Sequence, residues 1–345
     1  MNYFRFVAQE CREIMASLGV RSIAELIGAT DWLEILPGET SKQRKLDLKP
    51  LLANGALVSD APQYCTEPRN EPFDKGALNE QMLADMRASI HGRLGGQFAY
   101  SVSNFHRSIG ARVSGEIAKL WGNNGMAESP LIVTLKGSAG QSFGVWNAGG
   151  LHLHLEGEAN DYVGKGMAGG KIVLKPPAAA SFSARETVIM GNTCLYGATG
   201  GELYAAGTAG ERFAVRNSGA LAVVEGTGDH CCEYMTGGVV CVLGRTGVNF
   251  GAGFTGGFAY VLDLERDFVD RYNHELIDIH RVSPEGMGTH VQHLRGLIEQ
   301  HVEATGSVWG QQLLNDFRTY IGKFWVVKPK AAAIASLLVN LRRAA

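Results

Sequence analysis

Between Phe143 and Asp263 the chain repeats itself, with short apolar runs that each follow a glycine or a glycine pair. The runs are Leu151–Leu155, Lys171–Leu174, Glu202–Ala205, Ala220–Val224, Val239–Leu243 and Phe258–Leu262, and their starts lie 20, 31, 18, 19 and 19 residues apart. The long interval contains Pro176–Val188, which reads as one loop added to an ordinary repeat. A second series, out of phase with the first, comprises Asp161–Val163, Asn192–Tyr196, Phe213–Arg216, Cys231–Tyr234 and Val248–Phe250. The expected repeat is therefore strand, glycine turn, strand, glycine turn.

A period of about 19 residues with two strands per repeat suits a parallel β-solenoid. The expectation is a mainly β fold: a right-handed parallel β-helix of about six to seven coils with flanking α-helices at both ends. Coils stack at about 4.8 Å, so six of them extend about 29 Å. The turns are assigned to Gly149, Gly150, Gly164, Gly166, Gly169, Gly170, Gly197, Gly200, Gly201, Gly219, Gly237, Gly238, Gly247, Gly251, Gly253, Gly256 and Gly257. Runs such as Leu221-Ala222-Val223-Val224 and Val239-Val240-Cys241-Val242-Leu243 supply the small and branched side chains of an interior.

Forty-five glycines among 345 residues are well above a typical share of about 7 %, and the excess is concentrated in the repeat. A formal charge of −2, with both signs mixed along the chain, argues against a nucleic-acid surface and against a polybasic membrane anchor. No apolar run reaches the ~18–20 residues of a membrane span. Arg5, Gln9, Glu10 and Arg12 interrupt any secretory pattern at the start. Cysteines at 11, 65, 194, 231, 232 and 241 form no C-x-x-C, and Cys231 and Cys232 would face opposite ways on a strand. Buried thiols in a reducing cytoplasm are expected.

Before the repeat, Tyr3, Val7, Cys11, Ile14 and Leu18 align on one helical face. Ser22-Ile23-Ala24-Glu25 reads as a capping box opening a second helix that Gly28 closes. Such helices need a partner surface, and residues 1–40 look like the end of a larger domain. Residues 41–90 form an extended, proline-containing connector and the helix Ala77–Ser89. The solenoid occupies 91–272, with strands Gln97–Ser103 and Pro130–Leu135 as its first rungs and the helix Ser108–Trp121 capping the open end. In 273–345, helices are expected over Thr289–Glu303, Val308–Phe324 and Lys330–Arg343, with Phe324–Lys330 a packing segment.

Several motifs invite a catalytic reading. Gly164-Lys165-Gly166-Met167-Ala168-Gly169 satisfies G-x-G-x-x-G, but Lys171-Ile172-Val173-Leu174 follows it as a strand where a dinucleotide site needs a helix. Gly140-Gln141-Ser142-Phe143-Gly144 satisfies G-x-S-x-G, again without the helix of a nucleophile elbow. His152 and His154 share a strand face, and Glu156 could join them as a third ligand; the plainer reading is a polar outward row. His290 and His293, and His230 beside Cys231-Cys232, lack zinc-ligand spacing. Lys165, Arg212, Arg216, Arg245 and Glu225 near the turns suit charge ladders or docking to other domains. No catalytic, cofactor-binding or metal site is assigned.

Long strings nevertheless identify a family. Tyr64-Cys65-Thr66-Glu67-Pro68-Arg69-Asn70-Glu71-Pro72-Phe73-Asp74, Gly140–Gly150, Asn160–Gly170, Gly191–Gly201 and Gly247–Gly253 resemble the C-terminal, GXGXG part of the glutamate synthase large subunit. Tyr3-Phe4-Arg5-Phe6-Val7-Ala8 is similar to the last helix of that family's FMN-binding barrel. The resemblance implies an enzyme that makes L-glutamate from L-glutamine and 2-oxoglutarate by reductive amination, with FMN and an iron–sulfur cluster carried by the parent subunit. It also implies, for this chain, a non-catalytic scaffold role. The implied partners are the remaining domains of the large subunit and the small subunit, with a homo-oligomer as a further option. A free-standing β-helix subunit of a redox complex is the alternative, and a small enzyme with its own groove site is a third reading that no acid–base–nucleophile cluster supports.

Overall fold

A computed structural model describes residues 2–53, 66–67 and 76–344, with side chains of the last helix to Val339. The Tyr64–Asp74 string, apart from Thr66 and Glu67, lies outside the described residues, as do Cys65 and the side chains of Leu341, Arg342 and Arg343. The chain divides into two compact units, Met1–Phe73 and Asp74–Ala345.

In the first unit the helix α1 (Asn2–Ser17) buries none of its residues. Tyr3, Phe6, Ile14 and Leu18, on or beside the expected apolar face, are all more than half exposed. The expected second helix is a single 3₁₀ turn, Ile23–Glu25. Ser22 Oγ lies 2.9 Å from Glu25 Oε1 and caps no backbone N–H, so the box closes on itself without nucleating a helix. The one-turn helix α2 (Lys49–Leu52) follows.

The second unit opens with α3 (Ala77–His91), β1 (Gly96–Val102) and α4 (Ala111–Trp121). Then come β2 (Leu131–Ala139), β3 (Leu151–Ala159), β4 (Ala168–Lys175), β5 (Val188–Met190), β6 (Gly200–Ala209), β7 (Ser218–Thr227), β8 (Thr236–Val242) and β9 (Gly256–Leu262). Eight of these strands pair in parallel in the order β1-β2-β3-β4-β6-β7-β8-β9, giving a solenoid of about seven turns. Lys171 pairs directly with Glu202, so the 31-residue interval keeps the register of its neighbours. Closure comes from β10 (Ile277–Arg281) and β11 (Phe324–Pro329), which add antiparallel strands beyond β9. The expected packing segment at Phe324 is thus a sheet strand. Met82, Met86 and Ile90 of α3 and Val113 and Ile117 of α4 join the solenoid's interior cluster.

Two faces of the strands are buried for different reasons. The inward stack runs Val133, Leu153, Ile172, Leu203, Ala222, Val240, Ala259, in register from coil to coil. The opposite face, which carries His152 and His154 on β3, becomes apolar at Val173, Tyr204, Val223, Cys241 and Tyr260. Leu294, Leu297 and Ile298 of α5 (Gly288–Thr305) cover it. Strands buried on both sides read as unbroken apolar runs, which is why Val239–Leu243 shows no alternation. The expected single helix Val308–Phe324 is α6 (Val308–Asn315) and α7 (Phe317–Tyr320), broken at Asp316, followed by a 3₁₀ turn; α8 (Ile334–Ala344) is last.

Apart from a bridge from Phe250 to Tyr272, the second series of expected strands is not β structure. In each of six coils three alternate residues hold positive φ: Ser142/Gly144/Trp146, Tyr162/Gly164/Gly166, Thr193/Leu195/Gly197, Arg212/Ala214/Arg216, His230/Cys232/Tyr234 and Asn249/Gly251/Gly253. Twelve of these eighteen are not glycine, although a left-handed residue with a Cβ costs roughly 1–2 kcal/mol. Inter-coil hydrogen bonds offset that cost. Arg212 N donates to Asp229 O at 2.8 Å and Arg216 N to Glu233 O at 2.8 Å in the following coil, whereas Ala214 N donates back to Cys194 O at 2.9 Å. The same pattern holds for the arms beginning at Ser142, Tyr162, Thr193 and His230. The backbone alternates, so side chains still face in and out with a period of two, and the pattern mimics a strand.

At the corners, the glycine pairs serve two separate needs. A Cβ on Gly237 would lie 2.2 Å from Ser218 O of the preceding coil, while Gly238 holds φ +82°. The buried Asn217 completes this corner: its Nδ2 donates to Ala220 O at 2.9 Å, and its Oδ1 accepts from Ala220 N at 2.9 Å and Gly219 N at 3.2 Å.

Candidate functional site

The sequence motifs are dispersed by the fold. Gly164 and Gly166 belong to a left-handed arm and Gly169 to the start of β4, so G-x-G-x-x-G feeds a strand. Ser142, at φ +67°, starts another arm and no helix follows it. His152 and His154 project from the outer face of β3, opposite Lys171 and Val173. Burial lowers the pKa of both rings, with Lys171 adding to it at each and His152 at His154. Among the described residues no group of three His, Cys, Asp or Glu side chains is placed to hold a metal ion.

Of the charges expected near the turns, Arg212 and Arg245 pair with acids of the next coil, as Lys171 does. Lys171 Nζ lies 3.1 Å from Glu202, Arg212 3.0 Å from Glu233 and Arg245 3.6 Å from Glu265. Lys165 sits over the rings of Tyr162 and Tyr196 at 5.1 and 5.7 Å, and Arg216 over Tyr234 at 5.8 Å. An open groove of about 1590 Å³ follows the glycine pairs of successive coils. Cys231 and Cys232 are not on a strand. Their sulfurs approach to 3.7 Å in an arm, and burial together with this contact pushes the Cys232 thiol up. Burial likewise raises Cys194, to about 12. None of the five described cysteines is bridged.

Glu225, expected in a surface ladder, is instead 1 % exposed. Its Oε1 meets His301 Nε2 of α5 at 3.2 Å and accepts a short hydrogen bond from Ser307 Oγ. Ser307 is also the N-cap of α6, accepting from Gly310 N at 2.8 Å. An acid, a histidine and a serine therefore meet, but in the wrong order for nucleophilic catalysis. The serine proton goes to the carboxylate rather than to the imidazole, and a serine lone pair is held by the helix. The cluster ties α5 and α6 to the end of β7, with a negative charge at the positive end of α6. Trp309 Nε1 donates to Leu243 O at 2.7 Å beside it.

Two cavities of about 600 and 720 Å³ adjoin this cluster, both lined by Arg185, Glu225 and Trp309. Arg185, carried by the 176–187 loop, stacks on Trp309 at 4.6 Å. His301 and Ser307 gave no local sequence signal. Glu225 did: it is the one charged residue closing the apolar run Leu221–Val224.

The repeat, its corners and its arms match a known pattern. The family model described as "GXGXG motif" covers residues 79–330. The chain belongs to the GXGXG family. Its relatives within longer proteins include ferredoxin-dependent glutamate synthase 2 of Synechocystis sp., 47 % identical over 334 residues, which are 95 % of this chain and 21 % of that protein. Glutamate synthase [NADH] of Schizosaccharomyces pombe is 41 % identical over 330 residues, 96 % of this chain and 16 % of that protein. The chloroplastic ferredoxin-dependent glutamate synthase of Spinacia oleracea is 44 % identical over 333 residues, 95 % of this chain and 20 % of that protein. This GXGXG chain spans about a fifth of the length of the curated relatives it matches.

Proposed function

We propose that this chain is the structural GXGXG domain of a glutamate synthase large subunit, an oxidoreductase that makes L-glutamate from L-glutamine and 2-oxoglutarate, and that it carries no catalytic residue of its own. The observation that carries this reading is identity of 41–47 % along nearly the whole chain to glutamate synthases. The geometry supports a scaffold. Inter-coil hydrogen bonds engage the left-handed arms, the clearest acid–histidine–serine cluster is a structural tether, and the ladders are surface pairs of the kind worth little individually. In this reading FMN and the iron–sulfur cluster belong to other domains of the subunit.

The partners are those remaining domains and, through them, the small subunit. The bare face of α1 supports the proposal that residues 1–40 close a neighbouring FMN-binding barrel, since an amphipathic helix buries its apolar stripe when its partner is present. No helix among the described residues is long and apolar enough to cross a membrane. Four buried, unbridged thiols support a cytoplasmic location.

Purified alone, the chain is expected to be colourless and to form no glutamate from glutamine and 2-oxoglutarate with a chemical reductant. Co-expressed with the remainder of a relative's large subunit, it is expected to co-purify and to restore turnover. A flavin band that travels with the isolated chain through gel filtration would overturn the assignment.

A further inference from the structure

We propose that Glu225 anchors a binding site for a small primary alkylammonium ligand in the cavity of about 600 Å³ beside the Glu225–His301–Ser307 tether. The site is independent of the scaffold role, which neither requires nor excludes it.

Glu225 Oε1 is committed to His301 and Ser307, whereas Oε2 is buried without a partner and the residue lines the cavity. Two further buried hydroxyls, Thr227 Oγ1 and Thr246 Oγ1, also lack partners, and both residues belong to the wall of the same cavity. Thr227 stands two residues after Glu225 on β7, hence on the same side of the extended chain. Thr246 is on the next coil, where Arg245 O accepts from Thr227 N at 3.0 Å.

Charge selects the ligand's sign. The cavity wall carries five carboxylates and three guanidinium groups. The four carboxylates other than Glu225 are each in an ion pair. Of the ionisable groups described, Glu225 meets only the His301 ring, through Oε1; its second oxygen has no partner, and with five carboxylates facing three guanidinium groups it favours a cation.

Donor geometry selects among cations. A guanidinium fork needs both oxygens of a carboxylate, and Oε1 is taken. A divalent metal needs about six oxygen ligands, far more than one carboxylate oxygen and two hydroxyls. A primary ammonium has three N–H donors for these three oxygens. Leu243, Phe268 and Trp309 give an apolar wall for a short alkyl body, and the volume lies within the range of small-molecule sites.

The test is isothermal titration of the 345-residue chain with n-butylammonium chloride, against tetramethylammonium and guanidinium chlorides at matched ionic strength. Saturable binding of butylammonium is expected, at least tenfold tighter than either control. Glu225→Gln should weaken it tenfold or more. Because that change also touches the tether, Thr246→Val serves as the second variant: it removes an unpartnered hydroxyl while leaving Glu225, His301 and Ser307 in place. It should weaken binding about three- to tenfold with an unchanged circular dichroism spectrum, as loss of one hydrogen bond predicts. Absence of saturable binding, equal affinity for guanidinium or tetramethylammonium, or wild-type affinity in Thr246→Val would each overturn the proposal.

Discussion

Tyr260 Oη lies 2.8 Å from His290 Nδ1, and this contact fixes the proton positions of a three-residue chain. His290 Nε2 faces Ile334 O at 3.3 Å and must donate, so the neutral ring presents a bare Nδ1 that accepts from the tyrosine. The hydroxyl oxygen then accepts from His293 Nδ1, 3.1 Å away. The strand β9 is thereby joined to α5 by polar contacts inside an otherwise apolar layer.

Tyr260→Phe removes the middle of that chain and leaves the Nδ1 atoms of buried His290 and half-buried His293 without partners. A loss of about 1–3 kcal/mol is expected. Urea unfolding followed by far-ultraviolet circular dichroism measures it. Tyr204→Phe is the comparison: its hydroxyl makes only longer, partly buried contacts, 3.2 Å to Gln300 and 3.3 Å to Glu202, and should cost less.

Burial, and then the neighbouring His290, depress the His293 pKa to about 4 from its ordinary 6.5. The folded state therefore resists protonation that the unfolded chain accepts. The stability contribution is complete above pH ~6.5 and is lost as pH falls towards 4, because the unfolded state binds the extra proton. Melting temperatures across this window should drop more steeply for the native chain than for His293→Gln.

Glycine-to-alanine changes should differ in sign by position. At Gly238 an added methyl would stand 2.3 Å from Ala220 O at φ +82°, so Gly238→Ala is expected to cost more than 3 kcal/mol. At Gly296, within α5, nothing lies within 4 Å of the added Cβ, and Gly296→Ala should gain about 0.4–1 kcal/mol. Thermal melts of the two variants provide the check.

Asn217→Leu keeps the volume of a corner side chain and deletes its three hydrogen bonds, stranding Gly219 N and Ala220 N. A loss of about 2–5 kcal/mol is expected. Asn217→Asp retains the acceptor and should fall between native and leucine in the same unfolding assay.

The stacked strands could be read from sequence because Leu151–Leu155 and its successors recur beside glycine pairs, and both marks are local. The arms misled for a physical reason. Phe213-Ala214-Val215-Arg216 has the in–out alternation of a strand, yet it arises from backbone that switches hand at each residue, and composition carries no sign of that switch. The break at Asp316 was hidden because Val308–Phe324 keeps a helical apolar spacing across it. Nothing near Glu225 in sequence reveals its burial, because its partners His301 and Ser307 lie 76 and 82 residues away. The closing strand β11 escaped recognition because its partners are β9 and β10, distant in the chain.

The direct pairing of Lys171 with Glu202 means that a dozen extra residues change neither the rise of the coil nor its core. Length can therefore be grown sideways from this stack, as a branch from a spine, without retuning the layers above and below. Here the branch delivers Arg185 to the rim of the Glu225 cavity. A homologue whose 176–187 branch were pruned would keep its spine upright and lose that rim, so the lineage can vary what the cavity admits while the stack beneath it stays the same.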